Sequence, residues 1–104
     1  PAAPAPVPAT MRAVQLRGFG GTDQLYVSDD VPVPAVPHEH VLVRVAATAL
    51  NRADTLQRKG GYAPPPGASD ILGLELAGHV VAHGDDDDAT RAAWPLGTRV
   101  AALV

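Results

Sequence analysis

The sequence predicts a mainly β fold with one short helix, and three observations carry that expectation. Apolar residues make up 46% of the chain, but Ala and Val supply most of them, and Phe19, Tyr26, Tyr62 and Trp94 are the only aromatics. A core of small and β-branched side chains suits sheets better than a helix bundle. Eleven prolines and ten glycines interrupt the chain often, which predicts no helix longer than about two or three turns. In the best-patterned segment, Val41, Val43 and Val45 share one face by the two-residue period of a strand. A chain of 104 residues fits one domain, and folding at this size buries roughly 60–70% of the unfolded surface, which predicts one modest core.

The elements follow in order. Residues 1–10, PAAPAPVPAT, are uncharged and rich in Pro and Ala; they predict a flexible extended arm, because each Pro removes a backbone donor. The chain begins at Pro1, and its first patterned segment opens at Met11. A removed targeting peptide would fit both facts, although the arm lacks the Arg- and Ser-rich signature itself, so a cytoplasmic and a mitochondrial address both stay open. Met11 to Leu16 and the run beginning Leu25-Tyr26-Val27 predict two short strands joined by the turn Gly18-Phe19-Gly20-Gly21. Pro32, Pro34 and Pro37 close the second of them. Val41 to Ala47 is the clearest strand. It runs into a short helix over Leu50 to Lys59, where Asn51 can cap, Ala53, Leu56 and Gln57 recur at helical spacing, and Gly60-Gly61 ends the turn. Pro64-Pro65-Pro66-Gly67 forces an extended loop. Ile71 to His83 is a second strand-like run, punctuated by Gly73 and Gly78. Asp85 to Asp88 repel one another and predict a solvated loop. Gly97 to Val104 predicts a turn entering a strand, whose unpaired edge calls for more chain or a protein partner to cover it.

Composition excludes several classes of function. Net charge is −3 and the eight basic residues are scattered singly, so no basic stripe exists to neutralise nucleic-acid phosphates. Cysteine is absent, which removes disulfides, thiolate metal sites and a cysteine nucleophile. No apolar run approaches the roughly 20 residues of a membrane span. A dinucleotide site needs a strand, a Gly-rich turn and a helix N-terminus to receive the pyrophosphate. Gly18 to Gly21 leads instead into an extended run.

The segments MRAVQLRGFGGTDQLYV, VLVRVAATALNRAD, QRKGGYAPPPGASDILGLELAGHVV and GTRVAALV, taken in order from Met11 to Val104, resemble the zinc-free quinone oxidoreductase branch of the medium-chain dehydrogenase/reductase superfamily. The resemblance implies that residues 11–104 are the N-terminal part of a catalytic domain built as a partial, chaperonin-10-like (GroES-like) open β-barrel. The family's nucleotide-binding domain, which would follow, has no counterpart in this chain. It also implies NADPH as cofactor and hydride transfer to a quinone-type small molecule or a conjugated carbonyl. In zinc-dependent relatives the positions matching Asn51 and Leu74 carry a cysteine and a histidine that ligate the catalytic metal. Leucine has no lone pair, and an asparagine amide is a feeble zinc ligand, so metal-assisted alcohol oxidation is not expected. By the same resemblance Asn51 lies near the nicotinamide end of the cofactor and Tyr62 lines the quinone pocket. A phenol there can stack on a flat ring and hydrogen-bond to a carbonyl oxygen gaining charge. Helix capping by Asn51 and simple loop packing by Tyr62 are the plainer readings of the same residues.

Other candidates carry less. Asp54 and Glu75 could form an acid/base pair if they converged; a structural role is favoured, with Asp54 on local backbone and Glu75 held by an Arg or backbone donors. His38 and His40 place both rings on one face of a strand entry, without a third ligand nearby in sequence. His79 and His83 would lie about 13 Å apart on a strand, too far to share a metal. Asp85 to Asp88 lacks the glycine and closing glutamate of a calcium loop. The chain alone is therefore expected not to reduce quinones, and the alternative is a non-catalytic subunit of a larger assembly.

Overall fold

Two antiparallel sheets and two short helices form the chain, described for residues 6–84 and 88–104 of a computed structural model. The first sheet is a hairpin of β1 (Thr10–Leu16) and β2 (Leu25–Pro32), in which Leu16 faces Leu25 and Gln15 faces Tyr26. Its connection is the expected glycine turn followed by one turn of 3-10 helix at Thr22–Gln24, closed by the Arg17 N–H on the Gln24 carbonyl at 2.9 Å. The hairpin reaches into the last residues of the Pro/Ala arm, since the Ala9 carbonyl accepts the Val33 N–H at 3.0 Å. Residues 1–5 lie outside the described residues.

The second sheet has the order β3-β4-β5, with β3 at Val41–Thr48, β4 at Glu75–His83 and β5 at Arg99–Leu103. The run predicted from Ile71 becomes a strand only at Glu75. The central position of β4 explains Gly78, where a Cβ would collide with the Arg44 carbonyl of β3; no side chain fits between the two backbones. The ladder between β3 and β4 is not continuous. Register shifts fall between Leu42 and Val43 and between Val45 and Ala47. Val81 is the extra residue on β4 at the first shift and Ala46 the extra residue on β3 at the second, so Val41, Val43 and Val45 still alternate along β3, although Val45 is 51% exposed. Each extra residue re-aims the side chains beyond it on its own strand.

A second helix, α2 (Asp88–Ala93), stands where only a loop was expected. Asp88 sits in its first turn, where a carboxylate complements the helix dipole, while Asp85 to Asp87 lie outside the described residues. The chain then returns to β4, with the Gly97 N–H on the Val80 carbonyl at 2.8 Å and the Val80 N–H on the Thr98 carbonyl at 2.9 Å.

The core is smaller than expected. Val31 and Val80 are the buried apolar residues among those described. The accessible surface is 7517 Å², against about 5,500 Å² for a folded monomer of this mass, so folding buries nearer half than two thirds of the unfolded surface. The radius of gyration, 15.1 Å, likewise exceeds the roughly 13 Å of a compact chain this long. The reason is architectural: among the described residues the sheets have two and three strands and neither is closed. Among the described residues no helix is long and apolar enough to cross a membrane.

Candidate functional site

The helix α1 (Arg52–Lys59) follows β3 and folds back beside the start of β4. Asn51 is its N-cap, in extended conformation at φ −124° and ψ 159°. Asn51 and Asp54 form a capping box: the Asp54 carboxylate accepts the Asn51 N–H at 2.8 Å, and the Asn51 side chain faces the Asp54 N–H in return. The Asn51 main-chain carbonyl shares that Asp54 N–H at 3.0 Å. Such reciprocal capping satisfies donors that a first helical turn otherwise leaves orphaned. At the other end Gly60 takes the left-handed conformation, φ 86°, and lies against the Phe19 ring, which a Cβ would approach to 3.0 Å. The hairpin turn is tied to the same end, because the Gly20 N–H donates to the Arg58 carbonyl at 2.9 Å and Arg58 Nε donates to the Gly20 carbonyl at 3.1 Å.

The buried face of α1 is polar. Asp54 and Gln57 are its buried residues; of the three residues expected at helical spacing, Gln57 is buried, whereas Leu56 is 37% exposed. The backbone leading into β4 passes this face and supplies partners: Gln57 Nε2 donates to the Asp70 carbonyl at 2.8 Å, and the Gly73 N–H donates to Asp54 Oδ1 at 3.0 Å. Buried polar groups are stable when so paired. With one oxygen on Asn51 and the other on Gly73, the Asp54 carboxylate ties the helix entry to the approach of β4.

Glu75, the first residue of β4, meets Asn51 from the opposite side. Its Oε2 accepts from Asn51 Nδ2 at 3.2 Å, and its main-chain carbonyl accepts from Thr48 Oγ1 at 2.7 Å. The structural role expected for Asp54 is the one seen. Glu75 differs from expectation, because its carboxylate is held by an amide and not by an Arg or backbone donors. Asp54 and Glu75 converge on Asn51 without bonding each other. Two shallow depressions open beside Glu75. One, of about 230 Å³, runs along Ala47, Thr48, Glu75, Ala77 and Ala101; the other, of about 300 Å³, is lined by Glu75, Leu76, Ala101, Ala102 and Leu103.

Tyr62 stands in the loop after Gly60-Gly61, 38% exposed, and lines neither depression. Leu74 is half-buried just ahead of Glu75, with its carbonyl accepting the Val104 N–H at 2.8 Å. His38 and His40 are exposed in a turn where His40 Nδ1 contacts the His38 carbonyl at 2.8 Å. His79 and His83 both lie on β4, and His83 is turned to the Trp94 carbonyl. Among the described residues no group of three His, Asp or Glu side chains could hold a metal ion. Thr48 and the link from Asn51 to Glu75 were not foreseen from the sequence. They depend on α1 folding back 24 residues along the chain, and no local pattern signals that return.

The capped entry of α1 is thus tied to the start of the central strand of an open antiparallel sheet. Residues 36–103 match the alcohol dehydrogenase GroES-like domain, and the chain belongs to that family. It is similar to a trans-enoyl reductase of Trichoderma harzianum, 39% identical over 84 residues, covering 81% of this chain and 22% of the relative. It is also similar to a quinone oxidoreductase of Lama guanicoe, 41% identical over 76 residues, covering 72% of this chain and 23% of the relative. Among solved structures, the human synaptic vesicle membrane protein VAT-1 homolog-like protein superposes with a TM-score of 0.75 at 35% identity, over 91% of this chain and 29% of that one. The chain thus spans about a quarter of the length of the relatives it matches. These relatives place it in the medium-chain dehydrogenase/reductase superfamily.

Proposed function

We propose that the chain is the N-terminal part of the catalytic domain of an NADPH-dependent, zinc-free reductase that transfers hydride to a quinone or a conjugated carbonyl. The observation that carries this reading is the match to the GroES-like domain together with relatives named quinone oxidoreductase and trans-enoyl reductase. The donor set at the site supports the zinc-free part. Leu74 has no lone pair, and the Asn51 amide already donates to Glu75 and faces the helix N-terminus, so neither position offers a strong ligand to zinc.

For the cofactor, this chain's residues fit only the uncharged end. The turn at Gly18 to Gly21 leads into a single 3-10 turn, not the helix N-terminus that receives a pyrophosphate. The Asn51 amide offers a neutral hydrogen-bonding group suited to a nicotinamide or ribose oxygen. When bound, NADPH supplies the hydride. Tyr62 stacks on the flat acceptor ring and donates its hydroxyl to the oxygen that gains charge.

NADPH consumption measured with ortho- and para-quinones and with an enoyl thioester tests the reading. The assay compares the 104-residue chain with a version extended by any sequence that follows Val104 in its gene. Turnover in the extended form and none in the short one is expected. Inactivity of both with every acceptor overturns the proposal.

A further inference from the structure

An asparagine amide has a donating end and an accepting end, and only its neighbours decide which way it points. Around Asn51 both neighbours decide the same way. Glu75 Oε2 lies 3.2 Å from Asn51 Nδ2; a carboxylate oxygen accepts, so the NH2 end must face β4. On the other side the Asn51 side chain lies in the capping box beside the Asp54 N–H, whose hydrogen bond goes to the Asn51 main-chain carbonyl at 3.0 Å, so the accepting end of the amide is the one that suits that side. Glu75 itself is firmly placed. It begins the central strand, pairs with Leu103 of β5, and holds the Thr48 hydroxyl on its main-chain carbonyl.

We propose that Glu75 is a positioning residue for Asn51. By holding one Nδ2 hydrogen, its carboxylate locks the amide and leaves the second Nδ2 hydrogen as the group Asn51 can offer to a ligand. The site then recognises an acceptor oxygen, such as a carboxamide carbonyl or a ribose hydroxyl, and discriminates against a donor in that place. The identity of the ligand rests on the proposed reading of Asn51 as a cofactor contact. The locking of the amide does not.

The two parts are tested separately. Asn51 is the sole asparagine in the chain, so its side-chain NH2 pair is readily assigned in a nitrogen-15 correlation spectrum of the full chain. The expected result is one Nδ2 proton shifted downfield and protected from exchange, with a nuclear Overhauser contact to the Glu75 side chain. Glu75→Met, which keeps length but loses the acceptor, should accelerate exchange of that proton by about tenfold, given a lost charge-assisted hydrogen bond. Glu75→Gln, whose amide oxygen still accepts, should restore most of the protection. An Asn51 pair that is unchanged in Glu75→Met overturns the proposal. Should that variant not fold, absence of the Overhauser contact in the unaltered chain overturns it equally.

In the extended protein, Glu75→Met should raise the dinucleotide KM about tenfold with a smaller effect on kcat, and Glu75→Gln should lie near the unaltered protein. If the amide is locked while Asn51→Ala leaves that KM unchanged, the positioning stands and the reading of Asn51 as a cofactor contact fails. If Glu75→Gln is as impaired as Glu75→Met, the charge of Glu75 matters and its acceptor does not, which overturns the proposed role.

Discussion

The junction around Asn51 and the outer edge of the sheet at β5 are built in opposite ways. At the junction Asp54 joins Asn51 to Gly73, Asn51 donates to Glu75 and Gln57 donates to the Asp70 carbonyl, and no buried side-chain nitrogen or oxygen among the described residues lacks a partner. At the edge, Leu103 is 83% exposed and Val104 75%, with the backbone of β5 paired only to β4. The difference separates two kinds of stability. Hydrogen bonds are directional and short-ranged, so a polar junction can be complete within a few residues. Hydrophobic burial depends on area, and the edge strand β5, exposed at four of its five positions, contributes little of it.

Substitutions that strike each region separate these contributions. The largest effect is expected at Gly78, which lets β3 and β4 approach. Gly78→Val should cost more than about 3 kcal/mol through overpacking against backbone and abolish a cooperative urea transition. A protein that unfolds at an unchanged urea midpoint would show that the close approach at Gly78 is dispensable.

Next comes Asp54→Ala, which removes the acceptor of two backbone N–H groups and should destabilise by about 2–4 kcal/mol. Urea unfolding followed by circular dichroism measures it, and a change below about 0.5 kcal/mol would mean the junction is not the anchor inferred above. At the opposite end of α1, Gly60→Ala should cost about 1–2 kcal/mol, because alanine is strained at positive φ and meets Phe19. The same titration reads it out, and hydrogen exchange should localise the loss to the last turn of α1 and the hairpin turn.

The smallest effect on stability is expected at the edge. Leu103→Lys should change unfolding free energy by less than about 0.5 kcal/mol, as an exposed site away from any packed feature, yet reduce concentration-dependent self-association in sedimentation, since a charge on an edge strand discourages pairing. Destabilisation comparable to Asp54→Ala would place β5 in a core, contrary to its exposure.

Much of the local structure was legible in the sequence because its causes are local. The glycine turn, the strand at Val41, the cap at Asn51 and the stop at Gly60-Gly61 each follow from dihedral preference or short-range hydrogen bonding. The family, too, was legible in the ordered words from Met11 to Val104. The spacing of Ala53, Leu56 and Gln57 located the inner side of α1 in part, since Gln57 is buried, but it did not reveal that Asp54 is buried with it, because the partners come from the backbone of residues 70–73. The register shifts between β3 and β4 escaped because two-residue alternation read along one strand carries no information about the residues inserted opposite it. The helix at Asp88–Ala93 was hidden behind the run of aspartates.

By itself the sequence determined the elements other than α2, their order and the chemical character of Asn51, Tyr62, Leu74 and Glu75, because propensity and side-chain chemistry belong to each residue wherever it lies. Only the tertiary structure decided that Asp54 and Glu75 meet at Asn51 and that Glu75 opens onto the shallow depressions. Those outcomes depend on which segments come together across 20 or more intervening residues, and no single stretch of chain encodes them.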